Sequence, residues 1–509
     1  MDSKRPNVLM IMCDQLNPGV LSCYGGPLKA PNIERLASEG IVFDNMTCTT
    51  PICTPSRASI ITGLYPHNHG IVGNVWKNEY PWFKGVPATE ESINEGDMTT
   101  EKILHMNGYK TYHFVKWHLK GDDDLSYYPR MYREHYEYAE EMTEKFEAVR
   151  RLPRDRWLDW YGWALPVSVP DGVRSAVAKY EKNRSNINVH PFAKQIGLLE
   201  MDSEDTFDCR VAHKTINCLK ELKDNDNRSI IGSEVNSQPF MITCSFNAPH
   251  DPNVLPYPFY GMVSPDEIVL PGNFSSSEAG FDDELSRNIV KAFGVEYVKE
   301  FLSIYYSSVL MIDHYIGQVL DVLDEEGYSD NTIVVFVSDH GDMSGGHGMV
   351  WKSTSAFYEE IARQTALIRF PENLKAGRCD AVASAADIMP TLLDLCGFEI
   401  PAHVDGISLV PFITGQTADG GQSRYVLCER IDWNREHTRR VCPGTPASFM
   451  LKGSKWKYIK YHNGHEYMYN LADDPGETRN LSGIKEYENR RNELAEILAE
   501  CLKDTSLSG

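Results

Sequence analysis

The sequence contains no apolar run long enough to cross a membrane, no internal repeat and no low-complexity tract. A transmembrane helix needs about 20 consecutive apolar residues. The first apolar stretch, in MDSKRPNVLMIMCDQ, is interrupted by Asp14, and no small-residue cleavage site of a signal peptide follows it. We therefore expect a soluble protein with a cytoplasmic location and no membrane partner.

Positive charge is also scarce. The chain has 50 Lys and Arg residues against 72 Asp and Glu residues, which gives a net charge of −22. Binding to the phosphates of a nucleic acid requires a surplus of basic residues, so the charge argues against a nucleic-acid partner. Small anionic substrates are not excluded, because the local field of a site can oppose the global sign.

Closely paired cysteines are missing as well. The 12 cysteines lie between Cys13 and Cys501, and none follows the CxxC spacing. The spacing therefore predicts neither a zinc site nor a dense disulfide framework. We expect most of these cysteines to be small buried hydrophobic residues.

Three continuous apolar runs predict buried strands: PNVLMIMC near the N-terminus, PFMITCSF at residues 239–246 and NTIVVFVS at residues 331–338. Helical patterns alternate with such runs, as in PNIERLASEG at residues 31–40 and a long amphipathic segment at about 300–326. This alternation predicts an α/β fold in which helices flank a large, mostly parallel central sheet.

The chain is long enough for two domains, or for one large domain with an appendage. A turn-rich break at residues 414–423, TGQTADGGQS, predicts a large α/β domain at 1–413 and a smaller unit at 424–509. The smaller unit has four short strand candidates and a final helix, which predict a small antiparallel sheet with one helix. Residues 121–235 are rich in both aromatic and charged side chains, and we interpret them as an insertion over one rim of the large sheet.

Polar residues follow two of the predicted strands at the point where each strand ends. The first strand leads into Asp14 and Gln15, and the strand at 331–338 leads into Asp339 and His340. Ligands of open α/β sheets bind beyond the carboxyl ends of the strands. Oxygen donors with one imidazole suit Ca²⁺, Mg²⁺ or Mn²⁺, so we predict a metal site here. The alternative is that each acid only caps a turn.

The stretch PICTPSRASIITGLYP, at residues 51–66, places Cys53 at the start of a predicted helix that continues to Gly63. The N-terminus of a helix attracts anions, and Arg57 is one turn further along the same face. A reactive thiolate is one interpretation. A buried cysteine before an ordinary helix is the other, and spacing alone does not decide between them.

CTPSR with the following ASIITGLYPHNHG closely resembles the signature of type I sulfatases, a family of the alkaline phosphatase superfamily. Further stretches resemble landmarks of that family in the same order: PNVLMIMCDQ, VKWHLKG, APHDP, SDHGDMSGGHG, WKSTS and MYNLADDPGETRNLS. They extend from residue 7 to residue 482, nearly the whole chain. The resemblance implies an alkaline phosphatase-like fold and hydrolysis of a sulfate ester.

The resemblance also implies a modified nucleophile. In type I sulfatases the cysteine of the signature is oxidised to formylglycine by a maturation enzyme, which would be a partner of this protein. One hydroxyl of the hydrated aldehyde attacks sulfur, and deprotonation of the second releases sulfate. Cys53 would then be the precursor of the nucleophile, because a thiol offers no second hydroxyl.

Further roles carried over from the family fall on residues of the matching motifs. Arg57, Lys116 and Lys352, with the metal, would neutralise the sulfate oxygens. His250 or Lys352 would protonate the leaving group, and His118 would deprotonate the second hydroxyl. The metal would be one divalent cation, with Ca²⁺ favoured over Mn²⁺ or Mg²⁺, held by Asp14, Gln15, the modified Cys53, Asp339 and His340.

Departures from the family pattern keep other hypotheses open. Asp14-Gln15 and Asp339-His340 stand where many members have Asp-Asp and Asp-Asn, and they resemble the choline sulfatase and phosphonate monoester hydrolase branches. Val115 replaces a glycine before the intact Lys-Trp-His. We predict a sulfatase acting on a sulfated sugar, whether small or an oligosaccharide. The alternatives are a phosphonate monoester or phosphodiester hydrolase, and a non-catalytic binding protein that uses the aromatic insertion.

Overall fold

The computed structural model describes residues 5–74, 98–116, 141–160, 163–182, 191–229, 238–276, 284–352, 356–417, 419–431 and 447–503. Within these ranges, none of the helices combines the length and the apolar character that a bilayer crossing requires.

The described ranges contain fifteen strands and thirteen α-helices. The strands are β1 Asn7–Asp14, β2 Ile41–Thr47, β3 Lys110–Val115, β4 Trp157–Trp160, β5 Trp163–Ser168, β6 Gly197–Leu199, β7 Phe240–Pro249, β8 Val254–Leu255, β9 Thr332–Ser338, β10 Ala366–Arg369, β11 Gly377–Ser384, β12 Val426–Ile431, β13 Ala447–Lys452, β14 Trp456–Lys460 and β15 Glu466–Asn470. The helices are α1 Pro31–Glu39, α2 Cys53–Thr62, α3 Pro66–His69, α4 Thr100–Met106, α5 Thr143–Arg150, α6 Asp171–Lys182, α7 Phe207–Ser229, α8 Glu284–Phe293, α9 Val295–Glu325, α10 Glu359–Ala362, α11 Ile388–Leu395, α12 Val410–Ile413 and α13 Glu488–Leu502.

Seven strands form the central sheet in the order β11-β2-β10-β9-β1-β7-β3. All neighbouring pairs are parallel except those of β10, which runs antiparallel to both β2 and β9. Every residue of β1 and β9 is buried, which is why these strands read as continuous apolar runs rather than alternating ones. The predicted α/β fold class is confirmed.

The two faces of β1 pack against different helices. Leu9 and Ile11 face the layer that contains α7 and α9, whereas Val8 and Met10 face the layer that contains α2 and α11. Such alternation follows from the two-residue period of a strand. Because β1 lies between β7 and β9 in the middle of the sheet, side chains from both neighbours can meet at its carboxyl end.

Part of the segment predicted as a rim insertion lies in the core. The long helix α7 packs against β7 and α9, and its residues Leu219 and Leu222 belong to the main hydrophobic cluster. Nearer the start of the segment, β4, β5 and β6 form a small sheet with β8. The boundaries 121–235, and the domain limits 1–413 and 424–509, stay predictions.

The C-terminal unit is a four-stranded antiparallel sheet, β12-β13-β14-β15, covered by α13. This agrees with the sequence expectation of a small antiparallel sheet and one helix. Of the helix residues expected to share a face, Leu494 and Leu498 are buried and Ile497 is partly buried.

Buried polar contacts join the small sheet to the catalytic part of the chain. Lys457 of β14 pairs with Glu359 and with Glu477, each at 2.8 Å, and all three side chains are largely buried. The backbone N–H of Glu429 in β12 donates to the carbonyl of Thr49, four residues before α2, at 2.7 Å. The C-terminal sheet therefore supports the segment that leads into α2.

Candidate active site

Helix α2 begins at Cys53 and stops at Gly63, as the sequence predicts. Gly63 has φ 70°, a left-handed conformation that glycine adopts without strain, and its N–H donates to Ser59 at 2.9 Å. Pro55 lies in the first turn, where a helix does not need its missing N–H. The Cys53 side chain is completely buried beside the carboxyl ends of β1 and β9.

Three polar groups surround the thiol of Cys53. Its Sγ lies 3.3 Å from Nε2 of His340, 3.5 Å from Nζ of Lys352 and 3.6 Å from Oδ1 of Asp14. One donor atom from each of Asp14, Cys53, Asp339 and His340 lies within 4.8 Å of every other. The structure thus brings the two predicted strand ends and the predicted helix start to one point, although more than 280 residues separate Asp14 and Cys53 from Asp339 and His340 along the chain.

The imidazole of His340 is oriented as a ligand. Its Nδ1 lies 2.8 Å from the carbonyl of Gly341, and a carbonyl can only accept, so Nδ1 carries the proton. The lone pair of Nε2 is then directed at the cluster. Fixing one nitrogen through a backbone carbonyl is the usual way in which proteins orient a metal-binding histidine.

Gln15 offers a further oxygen. Its backbone has φ 67°, a conformation that is uncommon for a residue other than glycine and that concentrates at functional sites. The side-chain amide donates from Nε2 to Asp342 at 2.7 Å. Its Oε1 is buried and has no hydrogen-bond partner among the described residues. An orphaned oxygen, two carboxylates and an imidazole form a donor set that fits a divalent metal ion.

The charges at the site oppose one another strongly. Burial raises the pKa of Asp14, but Lys116, His250 and Arg57 outweigh it and hold this pKa well below the usual range. Burial and the neighbouring Asp14 carboxylate raise the pKa of Asp339 to about 6. Burial disfavours a charged His340, but Asp339 and the Cys53 thiol raise its pKa to about 10. The attraction that holds a proton on His340 would act equally on a metal cation.

Arg57 faces the carboxylates rather than open space. Its Nε donates to Oδ2 of Asp339 at 2.8 Å, and one terminal nitrogen donates to Oδ2 of Asp14 at 3.2 Å. The other terminal nitrogen donates to the hydroxyl of Ser245 and to the carbonyl of Lys116. The guanidinium therefore holds both candidate metal-binding carboxylates, a task for which its fork of donors is suited.

Two lysines reach the site through different partners. Nζ of Lys116 lies 2.8 Å from Oδ2 of Asp14 and donates to Asn247 at 2.9 Å. Nζ of Lys352 lies 2.5 Å from Nε2 of His250. The other ring nitrogen of His250 is 2.6 Å from the carbonyl of Asp251 and must donate there, so Nε2 accepts from the Lys352 ammonium. His118, the remaining predicted catalytic residue, lies outside the described residues.

Sequence reasoning missed three residues that support the site. Asn74 accepts the backbone N–H of Thr54 at 3.0 Å and lies 4.0 Å from Sγ of Cys53. Asn247 holds Lys116, and Asp208 of α7 accepts the backbone N–H of Asn247 at 2.7 Å. Asn247 could have been found from its place in β7, close to the strand's carboxyl end. Asn74 and Asp208 follow no recognisable pattern.

A cavity of about 70 Å³ adjoins His250. Asp208 and Asn247 contribute polar atoms to its lining, and Phe207 and Met311 contribute apolar ones. This volume is well below the roughly 300–1,000 Å³ of a pocket that encloses a whole ligand, so the cavity has room only for a small group.

A buried cluster of metal-ligating side chains lies at the carboxyl edge of a mostly parallel sheet, with a side chain held at a helix start between acids and cations. Such a site suits the hydrolysis of charged esters. The family model named Sulfatase matches residues 6–398, and the model for the N-sulphoglucosamine sulphohydrolase C-terminal region matches residues 345–504. The chain belongs to the sulfatase family and is a sulfuric ester hydrolase.

Individual relatives agree with this assignment over the whole chain. The N-acetylglucosamine-6-O-sulfatase of Bacteroides thetaiotaomicron is 27% identical, over 99% of this chain and 87% of the relative. The ulvan-active sulfatase of Formosa agariphila is 25% identical, over 96% and 80%. The structure of the phosphonate monoester hydrolase of Agrobacterium radiobacter has the same fold, with a TM-score of 0.70, 20% identity and coverage of 97% and 95%.

Proposed function

We propose that the protein hydrolyses a sulfate monoester of a carbohydrate, and that the side chain at position 53 becomes the nucleophile after oxidation to formylglycine. The position of Sγ carries this proposal, since it lies within 3.6 Å of Asp14, His340 and Lys352. A nucleophilic atom at this position is next to the candidate metal-binding side chains Asp14 and His340. It is also next to the Lys352 ammonium, whose positive charge can bind the sulfate group.

The chain's own residues account for the steps around sulfur. Formylglycine, when formed, supplies the attacking oxygen that a thiol lacks. Lys352 lies 3.5 Å from the reacting position, and Lys116 lies beside Asp14. Both would stabilise the negative charge on the nonbridging oxygens. Arg57 positions Asp14 and Asp339 instead of contacting the substrate.

The contact between Lys352 and His250 provides a proton for the leaving group. The lysine ammonium donates to Nε2 of His250 at 2.5 Å, and Nζ of Lys352 lies 3.5 Å from Sγ of Cys53. A positioned acid of this kind typically contributes about 10²–10⁴-fold to the rate. The role of His118 as the base that releases sulfate stays a prediction.

Asp14, Gln15, Asp339 and His340 would hold the divalent cation together with the side chain at position 53. Its charge would draw electron density from a sulfate oxygen. Mostly oxygen donors favour Ca²⁺, and the imidazole of His340 is also compatible with Mn²⁺ or Mg²⁺.

The carbohydrate substrate is supported by the activities named for the relatives from Bacteroides thetaiotaomicron and Formosa agariphila. Hydrolysis of phosphonate monoesters or phosphodiesters is the second candidate. It is favoured by Asp14-Gln15 and Asp339-His340, which depart from the common sulfatase pairs. A formylglycine-generating enzyme would be a partner, and the cytoplasmic location stays a prediction.

Mass spectrometry of the tryptic peptide that contains Cys53 tests the first step, using protein made in cells with the maturation enzyme. We expect the aldehyde mass and no hydrolysis by Cys53→Ala. Full activity from protein whose Cys53 is still a thiol would disprove the mechanism.

A substrate panel tests the second step. Sulfated monosaccharides, choline sulfate and aryl phosphonate monoesters should be compared by kcat/KM with the matured protein. We expect a sulfated sugar to be preferred. A preference of a hundredfold or more for the phosphonate, about 2.7 kcal/mol of transition-state binding, would reverse the order of the two candidates.

A further inference from the structure

A second cluster of metal-binding side chains lies at the start of α7, on a different part of the molecule from residue 53. Sγ of Cys209 is 3.6 Å from Oε2 of Glu204 and 3.7 Å from Nε2 of His213, and these last two atoms are 3.7 Å apart. Cys209 and His213 are one turn apart on α7, and Glu204 belongs to the single 3-10 turn Ser203–Asp205 just before it. The three donor atoms form a nearly equilateral triangle.

This triangle has the size of one face of a tetrahedral zinc site. Zinc binds sulfur at about 2.3 Å and nitrogen or oxygen at about 2.0–2.2 Å, which separates neighbouring ligand atoms by roughly 3.3–3.6 Å. The two separations from sulfur, 3.6 and 3.7 Å, match the upper end of this range. The 3.7 Å between nitrogen and oxygen is about 0.3 Å longer than two zinc bonds of this kind would give. A thiolate and an imidazole with one carboxylate also favour Zn²⁺ over the harder Ca²⁺ and Mg²⁺.

The surroundings suit a cation better than a simple ion pair between Glu204 and His213. Cys209 is completely buried and forms the floor of the cluster, whereas the side chains of His213 and Glu204 are 46% and 68% exposed. A simple ion pair between Glu204 and His213 would not require the Cys209 thiol, which lies against both side chains. Beside Cys209 lies the buried hydroxyl of Tyr315, which can donate a hydrogen bond to its sulfur. A metal-bound thiolate would accept that bond.

The position of the cluster gives it a structural role. Asp208, next to Cys209, accepts the backbone N–H groups of Asn247 and Ala248. Asn247 in turn holds Lys116 at the active site. A cation that joins the first turn of α7 to the turn before it would stiffen the attachment of Asp208.

We propose that Glu204, Cys209 and His213 form a second metal site that takes a zinc-type divalent cation through three protein ligands, with the fourth position open to solvent. The absence of CxxC pairs in the sequence does not argue against it, because its ligands are a Cys-x3-His pair on a helix and a preceding acid.

Cobalt(II) is a suitable probe, since its bond to a thiolate gives a charge-transfer absorption that carboxylate and imidazole ligands do not give. The full-length Cys53→Ala protein removes the thiol of the active site, so cobalt bound there adds no such band. We expect this protein to develop the band with about one equivalent of cobalt, and Zn²⁺ to displace it.

Added variants identify the ligands. Cys209→Ser in the Cys53→Ala background should abolish the band, and His213→Ala should weaken cobalt binding at least tenfold. Cys501→Ser is the matched control, because Cys501 is an exposed cysteine on α13, and it should leave the band unchanged. Because His213 is half exposed, His213→Ala should not disturb packing. It therefore tests the site even if Cys209→Ser does disturb packing. No band in the Cys53→Ala protein, or a band that survives both ligand changes, would overturn the proposal.

Discussion

Replacing Lys352 with methionine should reduce hydrolysis in a way that depends on the leaving group. The Lys352 ammonium lies 2.5 Å from Nε2 of His250 and 3.5 Å from the reacting position. A sugar alkoxide needs a proton to leave, whereas a nitrophenolate does not. We therefore expect kcat/KM for a sugar sulfate to fall by about 10²–10⁴-fold, the usual contribution of a general acid, which corresponds to about 2.7–5.5 kcal/mol.

The comparison with nitrophenyl sulfate separates proton transfer from charge. Both substrates lose the electrostatic contribution of the ammonium, so the loss on the sugar sulfate should exceed that on the aryl ester at least tenfold. Lys352→Arg, which keeps the charge, should give the same selective loss. Combining Lys352→Met with His250→Gln should cost little more than the worse single change, because the two residues act as a unit.

Steady-state kinetics on both substrates, with circular dichroism to check folding, measures these effects. An equal loss on the sugar sulfate and the aryl ester would show that Lys352 acts by charge alone. Additive losses in the double variant would separate it from His250.

Three further predictions concern stability. Lys457→Met should lower the free energy of unfolding by about 3–5 kcal/mol in urea titration, because it leaves the buried Glu477 without its lysine and Glu359 with Lys452 alone. Lys460→Met, at an exposed position, is the control, and a loss below about 1 kcal/mol for Lys457→Met would contradict the reasoning. Burial disfavours a charged His67, but its bond to Glu429 outweighs burial and raises the pKa of His67. The stabilisation by the His67–Glu429 pair is therefore complete below about pH 6.5 and is lost as pH rises through the raised pKa. His67→Gln should flatten this pH dependence of the free energy of unfolding. An unchanged pH profile in the variant would count against the pair. Ca²⁺ at a hundred times its Kd should stabilise the protein by about 2.7 kcal/mol, measured by thermal unfolding. If an Asp339→Asn variant gains as much at the same Ca²⁺ concentration, the cation binds elsewhere.

The sequence was sufficient for the elements that carry the site, because their signals are local. Buried parallel strands appear as apolar runs, which located β1 and β9. The carboxyl-end rule then placed Asp14 beside Asp339 without any knowledge of the loops. The strand direction of β10 was not predictable, since four residues, ALIR, carry no signal of direction and the pairing of the strand depends on β2 and β9.

Side-chain directions could not be obtained in the same way. Helical spacing put Arg57 on the face of Cys53, but the direction of its guanidinium depends on carboxylates that arrive from two distant strands. Asn74 and Asp208 were missed for a related reason. Each acts on a backbone N–H of another segment, and such a contact has no signature in the composition of either segment.

The buried contacts of the C-terminal sheet have a consequence for how this chain can be divided. Thr49 receives its bond from β12, and Glu359 depends on lysines that come from β13 and β14. If the peptide chain is cleaved within residues 414–423, the two fragments should stay associated. The first piece expressed by itself would expose the hydrophobic surface that the small sheet covers. It would also leave acidic side chains close to the reactive centre without their lysine partners. The C-terminal unit is therefore not a separate module that could be removed from this protein without loss of the site.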